Sequence, residues 1–473
     1  MTDANRLLHL TLALALLAAT SCSNSIEDDV NLLYEGGAKA QEARQRLSRA
    51  RPIDTRSLIE AFRDTRHPAY VRLDLGAALV LLFEREENRR VLYILIEAIA
   101  DREAEIRAAI AETLRGLRPP EAVGPLLHQF VRETDDRVRV AILAALEEIT
   151  VEDGPEPFSW HLNTDLLATE ERPDDKLRFT RALQQVLLET VSDSLRTRSL
   201  EWLELLADEK AAEAWRWLEK GDRRWAAREL IAARDMVPDS KNLNWQLGHL
   251  YYRMGERRKA LATLREAGLL IAAAALPTKP RMDGDLSDTA WLSATPTTDF
   301  FRCEWSGRAS PDTARTELLL GYHQGDLYVG YRAFEDSTAA LTALAVESDD
   351  RAIARDDGIE LFLDVDHDQI TYYHVAANSL AAVTDQFNSG NSRLGDLQWD
   401  GGVEAAAKVS DGEWSLELRL PAHRMGNRRI TAGDIWGFNA ARIRTSDEFS
   451  YAQWAPTYGS AHRPDRFGYL LFD

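Results

Sequence analysis

The apolar residues of this 473-residue chain change their spacing once, close to residue 282. From about residue 37 to residue 271 they recur every three or four positions, which is typical of helices that bury one face. After residue 282 they alternate with polar residues in short runs separated by turns, which is typical of antiparallel strands. The sequence therefore predicts a multidomain protein in which an α-helical part is followed by an antiparallel β-sandwich.

The helical part contains a repeated dipeptide of one aliphatic residue and one arginine. It opens a predicted helix at Val71-Arg72, Ile106-Arg107, Val138-Arg139 and Leu195-Arg196, at the spacing of helical pairs. These units resemble HEAT repeats, and the resemblance implies an α-solenoid over residues 37–208 whose neighbouring units bury a continuous core. The aliphatic residue is expected to pack between helices, and the arginine is expected to bond to neighbouring turns.

A second type of repeat follows over residues 209–271 and resembles the tetratricopeptide unit. Small and aliphatic residues stand at the positions of that unit, namely Leu247, Gly248, Tyr251, Ala260, Leu264 and Ala267, with Ala226, Leu230, Ala233 and Pro238 one unit earlier. The small residues allow paired helices to approach closely, and the proline ends a helix. Residues 272–281 contain two prolines and are predicted to be a linker.

Helical repeats of this kind carry no chemistry of their own, so two interpretations of the helical part remain open. One is a scaffold whose concave face binds a protein or peptide partner. The other is a spacer that holds the C-terminal domain at a distance from a membrane.

The N-terminus has the features of an export signal. Residues 7–19 form an apolar run that is too short to span a bilayer, and small residues lead directly to Cys22. This arrangement resembles the lipobox of bacterial lipoproteins, which implies that residues 1–21 are a signal peptide, that Cys22 is lipidated and that residues 22–36 are a tether. Ser23 then favours a cell-envelope protein anchored in the outer membrane. The alternative is an ordinary secretory signal with a chance cysteine.

The charge and the cysteines exclude several classes of partner. A formal net charge of −20 argues against binding to nucleic acid and against adhesion to an anionic membrane surface, because both need a basic face. The two cysteines are Cys22 and Cys303. With Cys22 lipidated, no intrachain disulfide is expected, and two cysteines are too few for a thiolate metal cluster.

The β-rich part carries four motifs in a fixed order. Its predicted strands cover residues 316–322, 327–334, 358–365, 370–378, 403–409, 414–420, 436–444 and 449–454. The motifs are residues 283–291, 326–331, 357–364 and 464–470. Together they resemble the family 9 carbohydrate-binding modules, which implies that residues 282–473 form a β-sandwich that binds a sugar. Trp291, Trp414, Trp436 and Trp454 lie within these strands and motifs and are expected to be core residues.

The family clamps a terminal sugar between two tryptophans, and the matching positions here are Ala354 and Ala461, so both rings are missing. The resemblance leaves Glu360, His374 and Asn378 as polar groups for sugar hydroxyls. Stacking could be supplied instead by other rings, for which the candidates are Tyr372, Trp399, Tyr458 and His462. The structural alternative is that these rings only cap a loop or cover the sheet.

Asp364, Asp366 and Asp368 alternate within a predicted turn, and such carboxylates can converge on a hard cation. Members of the family carry calcium, so calcium is the candidate cofactor. The alternative is an acidic turn without an ion, since the glycine of the standard calcium loop is absent.

No catalytic motif is present in the sequence, so the protein is not expected to be an enzyme. The leading hypothesis is a non-catalytic envelope lipoprotein whose β-sandwich binds a carbohydrate or related ligand and is presented on a helical-repeat stalk. The second hypothesis is an envelope scaffold that binds a protein partner and has a degenerate sugar site. The third is an accessory role in glycan hydrolysis.

Overall fold

The computed structural model describes residues 25–153, 160–162, 175–303, 309–426, 428–445 and 449–473. The chain divides into two units, of which one spans 1–151 with 163–199 and the other spans 152–162 with 200–473. The predicted signal peptide, 1–21, and Cys22 lie outside the described residues. Within the described part, no helix combines the length and the apolar character needed to cross a membrane.

Thirteen α-helices occur among the described residues, in agreement with the helical N-terminal part that the sequence predicts. They are α1 Ile26–Glu35, α2 Gly37–Leu47, α3 Thr55–Arg63, α4 Ala69–Glu86, α5 Arg89–Glu97, α6 Ala104–Leu117, α7 Val123–Arg132, α8 Asp136–Thr150, α9 Asp175–Glu189, α10 Asp193–Glu219, α11 Arg223–Met236, α12 Lys241–Arg253 and α13 Arg257–Glu266.

The repeated dipeptides stand at the third and fourth positions of α4, α6, α8 and α10. The aliphatic member is buried in all four helices. Arg72 donates to the Phe62 carbonyl at 2.9 Å and to Asp101 at 3.0 Å, and Arg107 donates to Glu133 at 2.7 Å. In the first two copies the arginine therefore ties its helix to the loop that precedes the next dipeptide.

The tether predicted for residues 22–36 is wrong over its described part, because Ile26–Glu35 is helix α1. Ser25 caps this helix, since its hydroxyl accepts from the Asp28 N–H while the Asp28 carboxylate accepts from the Ser25 N–H. Val30 and Leu33 are buried. Burial of these two apolar side chains offsets the conformational entropy that this largely polar segment loses when it forms a helix.

The helices α12 and α13 show why the tetratricopeptide-like pattern contains small residues. A Cβ atom added to Gly248 on α12 would lie 2.6 Å from the Leu264 Cγ atom on α13. Any larger residue at this position would push the two helices apart.

Most of the strands follow the helices, as predicted, and two short strands lie between α8 and α9. The strands are β1 Val151–Asp153, β2 Trp160–Leu162, β3 Leu270–Ala275, β4 Phe301–Cys303, β5 Ala309–Pro311, β6 Thr316–His323, β7 Asp326–Phe334, β8 Gly358–Asp364, β9 Thr371–Asn378, β10 Val383–Ser389, β11 Glu404–Ser410, β12 Glu413–Leu420, β13 Ile435–Arg444, β14 Ser450–Gln453 and β15 Gly468–Phe472.

The main sheet runs in the order β10-β9-β8-β13-β15-β3-β6-β7-β12-β11, while β14, β4 and β5 extend from β13. Its pairs are antiparallel except that β3 runs parallel to both β15 and β6. The two ends of this order face each other across one apolar core, which produces the sandwich. Trp291, Trp414, Trp436 and Trp454 are all buried, which confirms their prediction as core residues.

The linker predicted for residues 272–281 is wrong in its first part, because Leu270–Ala275 is strand β3. This strand joins the two halves of the sandwich, and Ile271 and Ala273 belong to the core. Four consecutive alanines gave no alternation of polarity from which a strand could be predicted.

Candidate functional site

The candidate site lies on the face of strands β8 and β9 that points away from the sandwich core. Alternation along β8 sends Ile359, Leu361 and Leu363 into the core, so Glu360 and Phe362 point outward. Phe362 is paired with His374 on β9, which places these side chains next to each other. His462 comes from the segment before β15, and its ring lies 5.1 Å from the Phe362 ring.

Glu360 is the acidic member of this cluster. Its carboxylate accepts a hydrogen bond from the Tyr451 hydroxyl, and its Oε1 atom lies 3.2 Å from the Nε2 atom of His374. Burial would raise the pKa of Glu360, but the His374 imidazole and the Tyr451 hydroxyl favour the carboxylate and hold the pKa at about 2. The group is therefore an anion at neutral pH.

His374 is fixed on two sides. Its Nδ1 atom accepts from the Gln386 amide at 2.8 Å, and its ring stacks on Phe362 with the centroids 4.7 Å apart. The residue is only 7% exposed. Among the described residues its Nε2 atom has no partner with hydrogen-bond geometry, although Glu360 is nearby.

His462 is oriented by Tyr372. The Tyr372 hydroxyl lies 2.8 Å from the Nδ1 atom of His462 and donates to the Ser392 carbonyl at 2.9 Å. Since the hydroxyl has one proton, it accepts from the Nδ1–H of His462. Burial lowers the pKa of His462 to about 4, so the imidazole is neutral at pH 7 and carries its lone pair on Nε2.

The structure thus brings together four of the residues predicted for the site, namely Glu360, Tyr372, His374 and His462. The Glu360 side chain retains 13% exposure, and the exposed Arg393 lies at the same edge, 3.4 Å from the Ser460 hydroxyl. The cluster is therefore mostly buried, but the Glu360 side chain remains accessible from solvent.

The other three predicted residues lie elsewhere. Asn378 donates to the Ala345 carbonyl and to Asp356, both at 2.8 Å, and its Oδ1 atom accepts from two backbone N–H groups. Trp399 packs against Tyr373, with the ring centroids 4.6 Å apart and the ring planes tilted, on the opposite side of β9 from His374. Tyr458 lies in the loop after β14, beside Cys303 and the charge of Arg466, where burial raises its pKa.

The two positions without rings have different surroundings. Ala354 is exposed, in a short 3-10 turn at residues Arg351–Arg355. Ala461 is 1% exposed and packs in a small cluster with Phe362, Tyr372 and Phe467. At Ala461 the chain's own rings occupy the space that a clamp residue would need.

Sequence reasoning missed Tyr451 and Gln386, which hold Glu360 and His374. Strand β10, which carries Gln386, was not predicted because its sequence, VTDQFNS, is largely polar. The signal that could have found Gln386 is its register, since it stands directly opposite His374. Tyr451 lay within a predicted strand, but its facing residue could not be known before the order of the strands.

The acidic turn follows β8. Carboxylate oxygens of Asp364, Asp366 and Asp368 lie within 4.8 Å of one another. Asp364 is buried, and its burial together with the charge of Asp368 raises its pKa to about 7. Carboxylate oxygens are ligands that a hard divalent cation such as Ca²⁺ prefers, and both Asp364 oxygens already accept from the backbone N–H groups of Asp368 and Gln369.

A family model described as "Carbohydrate family 9 binding domain-like" matches residues 282–472. A search of curated proteins finds no match to the chain. Solved structures that resemble it include a family 9 carbohydrate-binding module from Caldicellulosiruptor kristjanssonii in complex with glucose, with 16% identity and a TM-score of 0.33, covering 43% of this chain and 95% of that one. The complex of the same organism's module with cellotriose has 17% identity and a TM-score of 0.33, covering 43% and 93%.

A helical match is the phycocyanin lyase complex from a Nostoc species, with 16% identity and a TM-score of 0.26, covering 53% of this chain and 97% of that one. Because all these TM-scores are low, the assignment of residues 282–472 rests on the family model.

Proposed function

Because residues 282–472 form a carbohydrate family 9 binding domain-like domain, we propose that this domain binds a carbohydrate or a related ligand rich in hydroxyl groups. The ligand would bind on the outer face of β8 and β9. Support comes from Glu360, which stands at a position that contacts sugar hydroxyls in the family and which is an anion on this face.

The side chains of the site suit hydroxyl groups. The Glu360 carboxylate is an acceptor, and the Nε2–H of His374, 3.2 Å away, is a donor because Gln386 donates to the other ring nitrogen. An acceptor and a donor at this distance can bind two neighbouring hydroxyls of one sugar ring. Without rings at positions 354 and 461, recognition would depend on these polar contacts, and a weak affinity is expected.

Calorimetric titration of the full chain with glucose and cello-oligosaccharides, with and without Ca²⁺, tests this function. Binding by the native chain is expected to be lost in Glu360→Gln. It should persist in Glu404→Gln, which changes an exposed glutamate on β11 of the other half of the sandwich. Equal binding by both variants would place the ligand at another site.

A second candidate function is an envelope scaffold with a degenerate sugar site. It is favoured by the internal contacts of Glu360 with Tyr451 and His374 and by the filling of the space around Ala461. The helical repeats would then bind a protein partner. Absence of any saccharide binding, together with recovery of a partner that requires the repeats, would favour this function over the first.

We further propose that the protein is a lipoprotein of the cell envelope, anchored in the outer membrane through Cys22. The binding domain would be non-catalytic, and a contribution to glycan hydrolysis would be an accessory one. Labelling with palmitate that is lost in Cys22→Ala, but retained in Cys303→Ala, is the expected result. Unchanged labelling in Cys22→Ala would remove the anchor.

A further inference from the structure

The cluster on the outer face of β8 and β9 has a feature that sugar binding does not require. A carboxylate oxygen of Glu360 and one ring nitrogen each of His374 and His462 lie within 4.8 Å of one another. Two imidazoles and a carboxylate around one point are a common ligand set for transition metals. We propose that Glu360, His374 and His462 bind a divalent transition-metal ion, for which Zn²⁺ is the probe.

An unpartnered nitrogen supports the site independently of the clustering. The Nε2 atom of His374 is buried, and among the described residues it makes no hydrogen bond of good geometry, although the Glu360 carboxylate lies beside it. The Gln386 contact and the stack on Phe362 fix the ring with this nitrogen 3.2 Å from the Glu360 Oε1 atom. Buried polar atoms without partners are rare, and an ion is one of the groups that satisfies them.

The second histidine is already in the tautomer that a metal needs. Its Nδ1–H donates to the Tyr372 hydroxyl, which leaves the Nε2 lone pair free. A ligating histidine almost always donates its other N–H to such a partner, because this fixes the ring and raises its basicity. The Tyr451 hydroxyl holds Glu360 in the same way, from the oxygen that does not face His374.

The distances are close to those that an ion requires. Ligand atoms at about 2.1 Å from a tetrahedral ion are separated by about 3.4 Å. Glu360 and His374, at 3.2 Å, are close to this separation, and the other pairs, which lie within 4.8 Å, would need to shorten by at most about 1.4 Å. Histidine nitrogens favour Zn²⁺ and its transition-metal neighbours over Ca²⁺ and Mg²⁺, so the site differs in chemistry from the acidic turn of Asp364.

Gln386 determines which ring nitrogen of His374 carries the proton, and therefore whether Nε2 can bind the ion. Its amide N–H donates to Nδ1 of His374, so the proton of the neutral imidazole resides on Nε2. To bind the ion through Nε2, His374 must move this proton to Nδ1, and Gln386 must then present its oxygen there. Replacing the amide by a carboxylate is therefore expected to strengthen binding, because it supplies the acceptor that Nδ1–H needs.

Titration of the chelator-treated full chain with Zn²⁺, and with Co²⁺ followed by its visible absorption, tests the proposal in the absence of sugar. One ion per chain is expected. Glu360→Gln and His462→Ala should each weaken binding at least about tenfold. His423→Ala changes an exposed histidine of the same domain and Asp366→Asn changes the acidic turn, and neither should alter this affinity.

The site would be overturned if the native chain showed no stoichiometric binding, or if the affinity for the bound ion survived both Glu360→Gln and His462→Ala. Thermal unfolding of each variant identifies loss of fold, and Glu360→Gln is nearly isosteric. The Zn²⁺ titration tests the metal site independently of the carbohydrate proposal. Zn²⁺ can bind when sugar does not, and sugar can bind when Zn²⁺ does not.

Substitutions at Gln386 and Tyr372, which contact the two histidine ligands, test the proposal more specifically. Gln386→Glu should tighten Zn²⁺ binding and Tyr372→Phe should weaken it, each by about 10–100-fold. A structural role for these residues would not produce changes of opposite sign. If both variants bind Zn²⁺ as the native chain does, the assignment of the ligating nitrogens is wrong and the proposal falls.

Discussion

Ala354 and Ala461 are the two positions that the resemblance to family 9 modules predicts for the clamp rings, but only one of them has room for a ring. Ala354 is exposed on a 3-10 turn, whereas Ala461 touches the cluster of Phe362, Tyr372 and Phe467. Loss of a ring at position 354 can be reversed by a single substitution. At position 461 the surrounding rings have taken the space, so the site has changed its packing as well as its composition.

Substituting tryptophan at each position tests this difference. Ala354→Trp is expected to change the free energy of unfolding very little and to strengthen any binding of sugar. Ala461→Trp is expected to destabilise the protein by about 1–3 kcal/mol, because a large ring must enter a filled space. Urea denaturation of the two variants measures both effects, and equal stability would contradict the packing around Ala461.

His249 on α12 is a titratable residue in an apolar contact. It stacks on Trp245 with the centroids 4.9 Å apart, and its Nδ1 atom lies 2.8 Å from the Tyr469 hydroxyl. Burial lowers the pKa of His249 to about 3, far below the ordinary value of 6.5. The folded state therefore keeps this imidazole neutral at a pH where the unfolded chain binds a proton.

The sign of the resulting pH dependence is fixed. Because the unfolded state binds more protons, His249 makes stability fall as the pH decreases from about 6.5 towards about 3, by about 1.4 kcal/mol per pH unit. His249→Gln should be less stable at pH 7 and should lose less stability on acidification. Parallel stability curves for the two proteins between pH 7 and pH 4 would contradict the desolvation of His249.

Strand β3 is an element that could not be predicted from the sequence, unlike the strands that alternate in polarity. The hairpin of β6 and β7 and the strands β8 and β9 alternate apolar and polar residues, so both they and the outward side chains Glu360 and His374 were predictable. The alanines of β3 and the polar β10 lack this alternation. The place of β3 depends on a partner that is distant in sequence, since Ala273 pairs with Phe472, whereas β10 pairs with the strand just before it, with Gln386 opposite His374.

Substitutions at two neighbouring alanines can show whether this segment is a strand or a flexible linker. Ala273 is buried in the core, whereas Ala272 is exposed. Ala273→Asp would bury an unpaired charge and is expected to cost about 3–5 kcal/mol, while Ala272→Asp should cost little. Chemical denaturation distinguishes the two variants, and a flexible linker would tolerate both equally.

The helices α12 and α13 belong to the same folded unit as the sandwich. The Trp245 indole N–H donates to the Phe467 carbonyl at 2.7 Å, and Arg466 lies over the Trp245 ring and donates to Asn242 at 2.6 Å. Trp245 and Leu264 are part of the same apolar core as the strands. A carbohydrate module carried on a separate stalk, as the sequence had suggested, would not share its core with the helices.

Two fragments test this arrangement. A fragment of residues 282–473 follows the boundary of the family match, but it lacks β3, which pairs with both β15 and β6, and it exposes the core residues that Trp245 and Leu264 cover. A fragment of residues 193–473, which begins with α10, retains all of these contacts. The longer fragment is expected to unfold cooperatively and to resist proteolysis between α13 and β6, whereas the shorter one should aggregate or unfold at a much lower temperature. Equal thermal stability of the two fragments would show that the sandwich folds without the helices and that β3 is dispensable.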